Sequence, residues 1–103
     1  MMKILIISKN TGQTKKFINE LPDYITNTQP DLAVEFAFYP DHEEQAKKHL
    51  WDVIALSPEL LIERKTILPR LRELGVNSPI KTIRGVHFGL RRYDLIFQAL
   101  MEG

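Results

Sequence analysis

Seven small or polar residues, SKNTGQT, follow a short apolar segment near the start of the chain. Ser8 carries a hydroxyl that can act as a nucleophile, and Thr11, Gly12 and Thr14 are small enough to let the backbone approach a phosphate. If a helix follows this loop, its free N–H groups and positive dipole favour an anion there. The sequence therefore predicts an anion site, and phosphate chemistry is the first hypothesis.

The residues around this loop have the pattern of a strand followed by a helix. Segment 4–7 is apolar throughout, which is typical of a strand covered on both faces in a parallel sheet. After the loop, apolar residues recur at helical spacing, and Thr14 is expected to be the N-cap or a first-turn residue. Pro22 is expected to kink or restart this helix before the pattern ends at 27–31.

Three further strand patterns alternate with helical patterns along the chain. Segment 33–39 partly alternates between apolar and polar residues, which favours a strand near a sheet edge. Short strands are also predicted at 53–56 and 79–83, helices at 43–50, 60–74 and 93–101, and a loop at 85–89. This order predicts an α/β fold with a doubly wound parallel sheet and right-handed crossovers.

Two of these helices have clear packing or termination signals. The helix at 43–50 is expected to bury mainly Ala46 and Leu50. The helix at 60–74 is expected to bend or split at Pro69 and to end at Gly75, a favourable residue directly after a helix.

The loops at the carboxyl ends of parallel strands are the usual ligand-binding edge of such a sheet. Three loops are expected to meet there, at 8–13, 57–59 and 84–89. In the second of them, Pro58 suits the first helical position and Glu59 complements the helix dipole.

The composition is that of one globular domain spanning residues 1–103. With 14 basic and 13 acidic residues the formal net charge is +1, too small a field to favour nucleic acid or an anionic membrane. No apolar segment approaches the ~18 residues of a membrane span, so we expect a cytoplasmic protein without direct membrane insertion. The chain has no cysteine, which excludes disulfides, cysteine-ligated zinc and thiol chemistry.

Three segments together resemble the IIB component of the lactose and cellobiose (chitobiose) type of the bacterial phosphoenolpyruvate-dependent sugar phosphotransferase system. KILIISKNTGQT resembles the first strand and phosphate loop of that family, DVIALSPELL its third strand and following turn, and IRGVHFG its fourth strand and next loop. The resemblance covers nearly the whole chain.

The resemblance implies a single three-layer domain of the flavodoxin-like or low-molecular-weight-phosphatase-like kind, with a four-stranded parallel sheet in the order 2-1-3-4 and helices on both faces. Such a protein takes a phosphoryl group from a phosphohistidine on its IIA partner, holds it on a cysteine, and passes it to a sugar bound by the membrane permease IIC. No cofactor is implied, and the sugar itself cannot be read from this chain. The implied phosphate cradle is Lys9, Asn10, Thr11, Gly12, Gln13 and Thr14, and the implied second-loop contacts are Ser57, Pro58, Glu59, Arg84, His87 and Phe88.

Ser8 stands where the family has its phosphate-accepting cysteine. A helix N-terminus can bring a thiol to thiolate, whereas a serine hydroxyl needs an adjacent base, and no histidine or carboxylate lies beside Ser8 in the sequence. Ser57, Glu59, Arg84 and Phe88 also differ from the usual glycine, glutamine, acidic residue and tyrosine of the family. Ser8 is therefore either an engineered substitution or the natural residue of a divergent member, and the other differences favour divergence.

Two functions follow from this reading. The first is a IIB-like phosphocarrier with Ser8 in the phosphoacceptor position, and the alternative is a non-catalytic regulatory or binding module that docks to IIA or IIC without accepting phosphate. A minor alternative is a small FMN binder, because Thr11 to Thr14 fits the Thr-Gly-x-Thr fragment of flavodoxin-like FMN sites. Since the cysteine is absent, the sequence leaves open whether the chain is an enzyme.

The three histidines are not spaced as metal ligands with nearby carboxylates, so no metal site is predicted. His42 and His49 are expected to be exposed. His87 belongs to a loop expected to face the Ser8 turn, where it would contact phosphate or act as a base for Ser8.

Overall fold

The computed structural model describes residues 2–102, and these form a four-stranded, all-parallel sheet in the order β2-β1-β3-β4. The predicted α/β fold and strand order are therefore confirmed. The strands are β1 (Met2–Ser8), β2 (Leu32–Phe38), β3 (Val53–Leu56) and β4 (Ile80–Thr82). The helices are α1 (Gly12–Thr28), α2 (Glu43–Lys48), α3 (Arg64–Glu73), α4 (Gly85–Gly89) and α5 (Tyr93–Met101), with a 3-10 turn at Pro58–Leu60.

Helices cover both faces of the sheet because the central strands are apolar on both faces. Ile4 and Ile6 of β1 pack into one core with α1 and α5. Leu5 and Ile7 pack into a second core with α2 and α3. All four side chains are 0% exposed, which is the burial expected of a central parallel strand. We call these two sets of residues the α1/α5 core and the α2/α3 core.

The parallel register aligns the carboxyl ends of three strands at one edge of the sheet. Ile7 pairs with Leu56, and Leu56 pairs in turn with Thr82. The loops that follow these residues therefore leave the sheet side by side. This register is what brings residues about fifty positions apart in the chain into one site.

Several local expectations were wrong. Helix α1 starts at Gly12 and runs on through Pro22, so the helix does not restart there, because the apolar side that carries Phe17 and Leu21 stays packed on the sheet. Helix α2 ends at Lys48, where the backbone becomes extended on the way to β3, and Leu50 is 95% exposed instead of buried.

The two other corrections concern segments 60–74 and 85–89. The predicted helix at 60–74 is a 3-10 turn followed by α3, which begins only at Arg64 and contains Pro69 without being split. The predicted loop at 85–89 is the short helix α4, which the burial of Phe88 holds in place.

The end of α3 follows the prediction. Gly75 has a φ of +83°, a conformation that glycine adopts without a Cβ penalty. The Val76 N–H donates to the Leu71 carbonyl at 3.0 Å, which closes the helix end. Within residues 2–102, no helix is both long and apolar enough to cross a bilayer.

Candidate functional site

The Ser8 loop, residues 8–14, closes around a carboxylate from the second loop. The Glu59 Oε1 atom lies 3.1 Å from Ser8 Oγ and 2.8 Å from Thr14 Oγ1, and Glu59 Oε2 lies 2.6 Å from Thr11 Oγ1. Ser8 and Thr14 are 0% exposed, while Thr11 and Glu59 are half-buried. An anion thus lies in the loop, and it is one of the chain's own side chains.

In this arrangement the hydroxyl groups of Ser8, Thr11 and Thr14 can each donate a hydrogen bond. A hydroxyl has one proton to donate, and an ionised carboxylate only accepts. The Thr11 and Thr14 hydroxyls donate to the two oxygens of Glu59, and the Ser8 hydroxyl then donates to Thr14 Oγ1 at 2.7 Å. Hydrogen bonds to an ionised acceptor are among the stronger ones in proteins, so this cluster fixes the loop and the carboxylate together.

Thr11 positions the loop at the start of α1. Its backbone is extended, and its hydroxyl oxygen accepts a hydrogen bond from the Thr14 N–H at 3.2 Å, so Thr11 is the N-cap. Thr14 is consequently a first-turn residue, one of the two roles expected for it. The exposed residues Asn10, Gly12 and Gln13 complete the loop on its solvent side.

Lys9, one of the residues of the implied phosphate cradle, is paired with an acidic residue. Its Nζ lies 2.8 Å from Glu63 Oε1, and this direct contact raises the pKa of Lys9 and lowers the pKa of Glu63. The charge of Lys9 is therefore already balanced and is not directed at the Ser8 hydroxyl.

Ser57 occupies the equivalent place at the end of β3. It is 0% exposed, and its N–H donates to the Ile7 carbonyl at 2.9 Å, which fixes it beside β1. Its Oγ is buried and has no hydrogen-bond partner among the described residues. A buried hydroxyl without a partner is uncommon in a folded protein.

The third loop also reaches the site, but through packing contacts. A Cβ on Gly85 would lie 3.8 Å from Pro58 Cβ, and one on Gly89 would lie 3.1 Å from Gln13 Nε2. The three loops therefore meet as expected.

The remaining third-loop residues show no hydrogen bond to Ser8. Phe88 is buried, with its ring 4.7 Å from that of Phe17, and so belongs to the α1/α5 core. Arg84 is exposed and His87 is half-buried. The side chains within hydrogen-bonding distance of the Ser8 hydroxyl are those of Thr14 and Glu59, and a role of His87 as a base stays a prediction.

His42 and His49 were both expected to be exposed, and neither is fully exposed in the structure. His42 is only 3% exposed and stacks on Tyr39, so its predicted exposure was wrong. His49 is half-buried, with Nε2 3.9 Å from Glu35 Oε2. Across residues 2–102, no three histidine, aspartate or glutamate side chains form a group that could hold a metal ion.

Comparison with known proteins finds a solved structure with a similar fold. No protein-family model matches this chain, and no curated protein has a similar sequence. Among solved structures, its fold is that of a sugar phosphotransferase IIB domain, a flavodoxin-like fold. One similar structure is the lactose-specific IIB component domain of the phosphoenolpyruvate:carbohydrate phosphotransferase system from Streptococcus pneumoniae, with a TM-score of 0.68, 16% sequence identity and 98% of each chain covered.

Proposed function

We propose that this chain is a IIB-like component of a sugar phosphotransferase system, working in the cytoplasm between a IIA phosphohistidine protein and a membrane IIC permease. The observation that carries this proposal is the fold match, which extends over 98% of both chains. The convergence of the three loops at the carboxyl edge of the sheet supports it further, because these loops carry the sequence resemblance.

In one form of this function the chain is a phosphocarrier that accepts the phosphoryl group on Ser8. The O–P bond would form at Ser8 Oγ as the N–P bond of the phosphohistidine breaks, and the serine proton would pass to the released imidazole nitrogen. Glu59 Oε1, 3.1 Å from Ser8 Oγ, is placed to relay that proton. The product would be a phosphate monoester, a class of compound that hydrolyses very slowly without a catalyst.

The geometry favours the second form, a regulatory module that docks to IIA or IIC without accepting phosphate. Ser8 is 0% exposed, and its hydroxyl is held by Thr14 and Glu59. The Glu59 carboxylate lies where the negatively charged phosphoryl group would have to enter, and like charges about 4 Å apart repel strongly near a protein surface. The same carboxylate argues against an FMN phosphate, which would need the Thr11 and Thr14 hydroxyls.

The test is incubation with phosphoenolpyruvate, the general proteins of the system and a lactose-type IIA protein. We expect the chain to bind IIA while gaining no phosphoryl group by intact mass. The double variant S8C/E59Q restores the usual cysteine and glutamine of the family, and we expect it to become phosphorylated. S8A/E59Q is the matched control and should not.

The outcomes separate the two forms. Phosphorylation of the unaltered chain that disappears in S8A would establish the carrier form. If neither the unaltered chain nor S8C/E59Q binds a IIA or IIC partner, the proposed function is wrong.

A further inference from the structure

The hydroxyl groups around Glu59 are not all hydrogen-bonded. Ser8, Thr11 and Thr14 surround the two oxygens of Glu59. Ser57 supplies a fourth hydroxyl, which is fully buried and unpartnered among residues 2–102. The site thus has a spare polar group that its present occupant leaves without a hydrogen bond.

Strand geometry places the Ser57 hydroxyl at the same site. Ile7 pairs with Leu56, so Ser8, the last residue of β1, lies beside Ser57, the first residue after β3, at about the 4.8 Å spacing of neighbouring strands. Side chains alternate along a strand, and Ile6 and Ala55, two residues before each serine, both lie in the α1/α5 core. Both serines therefore lie on the face from which α1 begins.

This set of donors suits a tetrahedral oxyanion better than a carboxylate. A phosphate has four oxygens and can take hydrogen bonds from the four hydroxyls and from the free N–H groups at the start of α1, a 17-residue helix. Glu59 fills part of this space with a fixed negative charge. The nearby cation Lys9 is paired with Glu63 and does not offset that charge.

We propose that the Ser8 loop is a tetrahedral-oxyanion site held closed by Glu59, which decides whether the loop takes an external phosphate or phosphoryl group. The carboxylate of Glu59 then takes the place of a bound anion. This inference rests on the proposed function. A IIB-like module whose phosphate cradle is filled by Glu59 would dock to its partner without accepting phosphate. Removing the carboxylate opens the site.

The test is a titration of the isolated chain with inorganic phosphate at constant ionic strength, followed by amide NMR shifts. We expect the unaltered chain to show no saturable shifts. E59A and E59Q should bind phosphate at least about tenfold more tightly, because the like charge is gone. The shifts should centre on residues 10–14 and Ser57.

Two controls make this result specific. D23N removes an exposed carboxylate on α1 but leaves Glu59 in the loop and Lys9 paired with Glu63, and we expect no gain in phosphate binding. S57A combined with E59Q should lose part of the gain, because it removes the fourth hydroxyl. If E59A does not fold, E59Q alone decides the question.

Three results would overturn the inference. They are equal phosphate binding by the unaltered chain, no binding by a folded E59Q variant, or an equal gain in D23N. This titration uses no partner protein, so its failure is distinct from a failure of IIA binding. Phosphate binding by E59Q without any binding of a IIA or IIC partner would refute the proposed function and leave the oxyanion site standing.

Discussion

At the scale of single residues, His42 is a titratable side chain in an environment that disfavours its charge. The ring is buried against Tyr39, and neither ring nitrogen has a hydrogen-bond partner among the described residues. Burial lowers the pKa of His42 below its ordinary value of 6.5, and the nearby Glu43, Asp41 and the Pro40 carbonyl oppose this only in part. The neutral form is therefore the one that fits the fold.

The burial of His42 predicts that the protein loses stability in mild acid. Because folding lowers its pKa, the native state binds fewer protons than the unfolded state once the pH falls below about 6.5. The contribution of His42 is fully present above that pH and is lost as the pH falls through the native pKa. We expect urea unfolding to show a free energy of unfolding that is lower at pH ~5 than at pH ~8, in part because His42 must take up a proton on unfolding.

The variant H42F should reduce this pH dependence, since phenylalanine keeps the stack on Tyr39 and carries no proton. The control H49Q leaves His42 unchanged and should retain the slope. An H42F variant with the same pH dependence as the unaltered chain would show that His42 is not its source.

Of the residues at the site, those of the Ser8 loop could be located from local sequence, whereas Glu59 was expected there only through the family resemblance. A strand, a small polar loop and a helix are encoded locally, so the positions of Thr11 and Thr14 between β1 and α1 follow from their neighbours, and anion binding by this loop stays a prediction. Glu59 is 51 residues from Ser8, and its sequence context indicates only a carboxylate at the start of a helical turn. Its contact with Ser8 depends on the register of β1 against β3, which local sequence patterns do not specify.

At the scale of secondary-structure elements, Gly75 shows how a helix end depends on backbone conformation alone. Its φ of +83° belongs to the left-handed region, and a Cβ added there would meet no atom within 4 Å. A larger side chain at position 75 would therefore lower stability through its backbone conformation and not through steric clashes with neighbouring atoms.

We predict that G75A destabilises the protein by roughly 1–2 kcal/mol, because alanine is disfavoured in the left-handed region. G75N should cost less, since asparagine visits this region more readily. The matched control is G12A at the first position of α1, where a Cβ also meets open space but φ is not positive. Chemical denaturation of the three variants checks this, and equal losses for G75A and G12A would contradict it.

Sequence patterns predicted the wrong secondary structure or burial where these depend on tertiary packing. Segment 85–89 contains two glycines, and its helix exists because Phe88 is held against Phe17. Pro22 lacks the N–H that an inner helix position normally donates, yet α1 continues because its neighbour Leu21 is buried. Leu50 has a core-like side chain but lies beyond the end of α2. By contrast, the long apolar patterns of β1 and α5 were sufficient to predict those elements.

At the scale of the whole molecule, the sheet separates two cores that meet only through the strands. Phe17 and Phe88 belong to the α1/α5 core, with interplanar angle 21° and ring centroids 4.7 Å apart. Leu71 belongs to the α2/α3 core on the other face. Because Phe17 follows the Ser8 loop and Phe88 lies in the third loop, their contact joins two of the three loops of the site.

Because the sheet separates the two cores, we expect the changes in the free energy of unfolding to be coupled for two substitutions in the same core. For two substitutions on opposite faces of the sheet, we expect these changes to be additive. We expect F17L and F88L each to destabilise by about 1–2 kcal/mol, with a coupling of about 0.5–1.5 kcal/mol in the double variant, because stacked aromatic rings stabilise each other beyond their buried area. The pair F17L and L71A should add to within about 0.5 kcal/mol, since the sheet lies between them. Urea unfolding of both double-mutant cycles provides the measurement. Equal coupling in the two cycles would mean that the sheet transmits packing changes from one face to the other. The positions of the site's loops would then depend on the packing of both cores and not on that of the α1/α5 core alone.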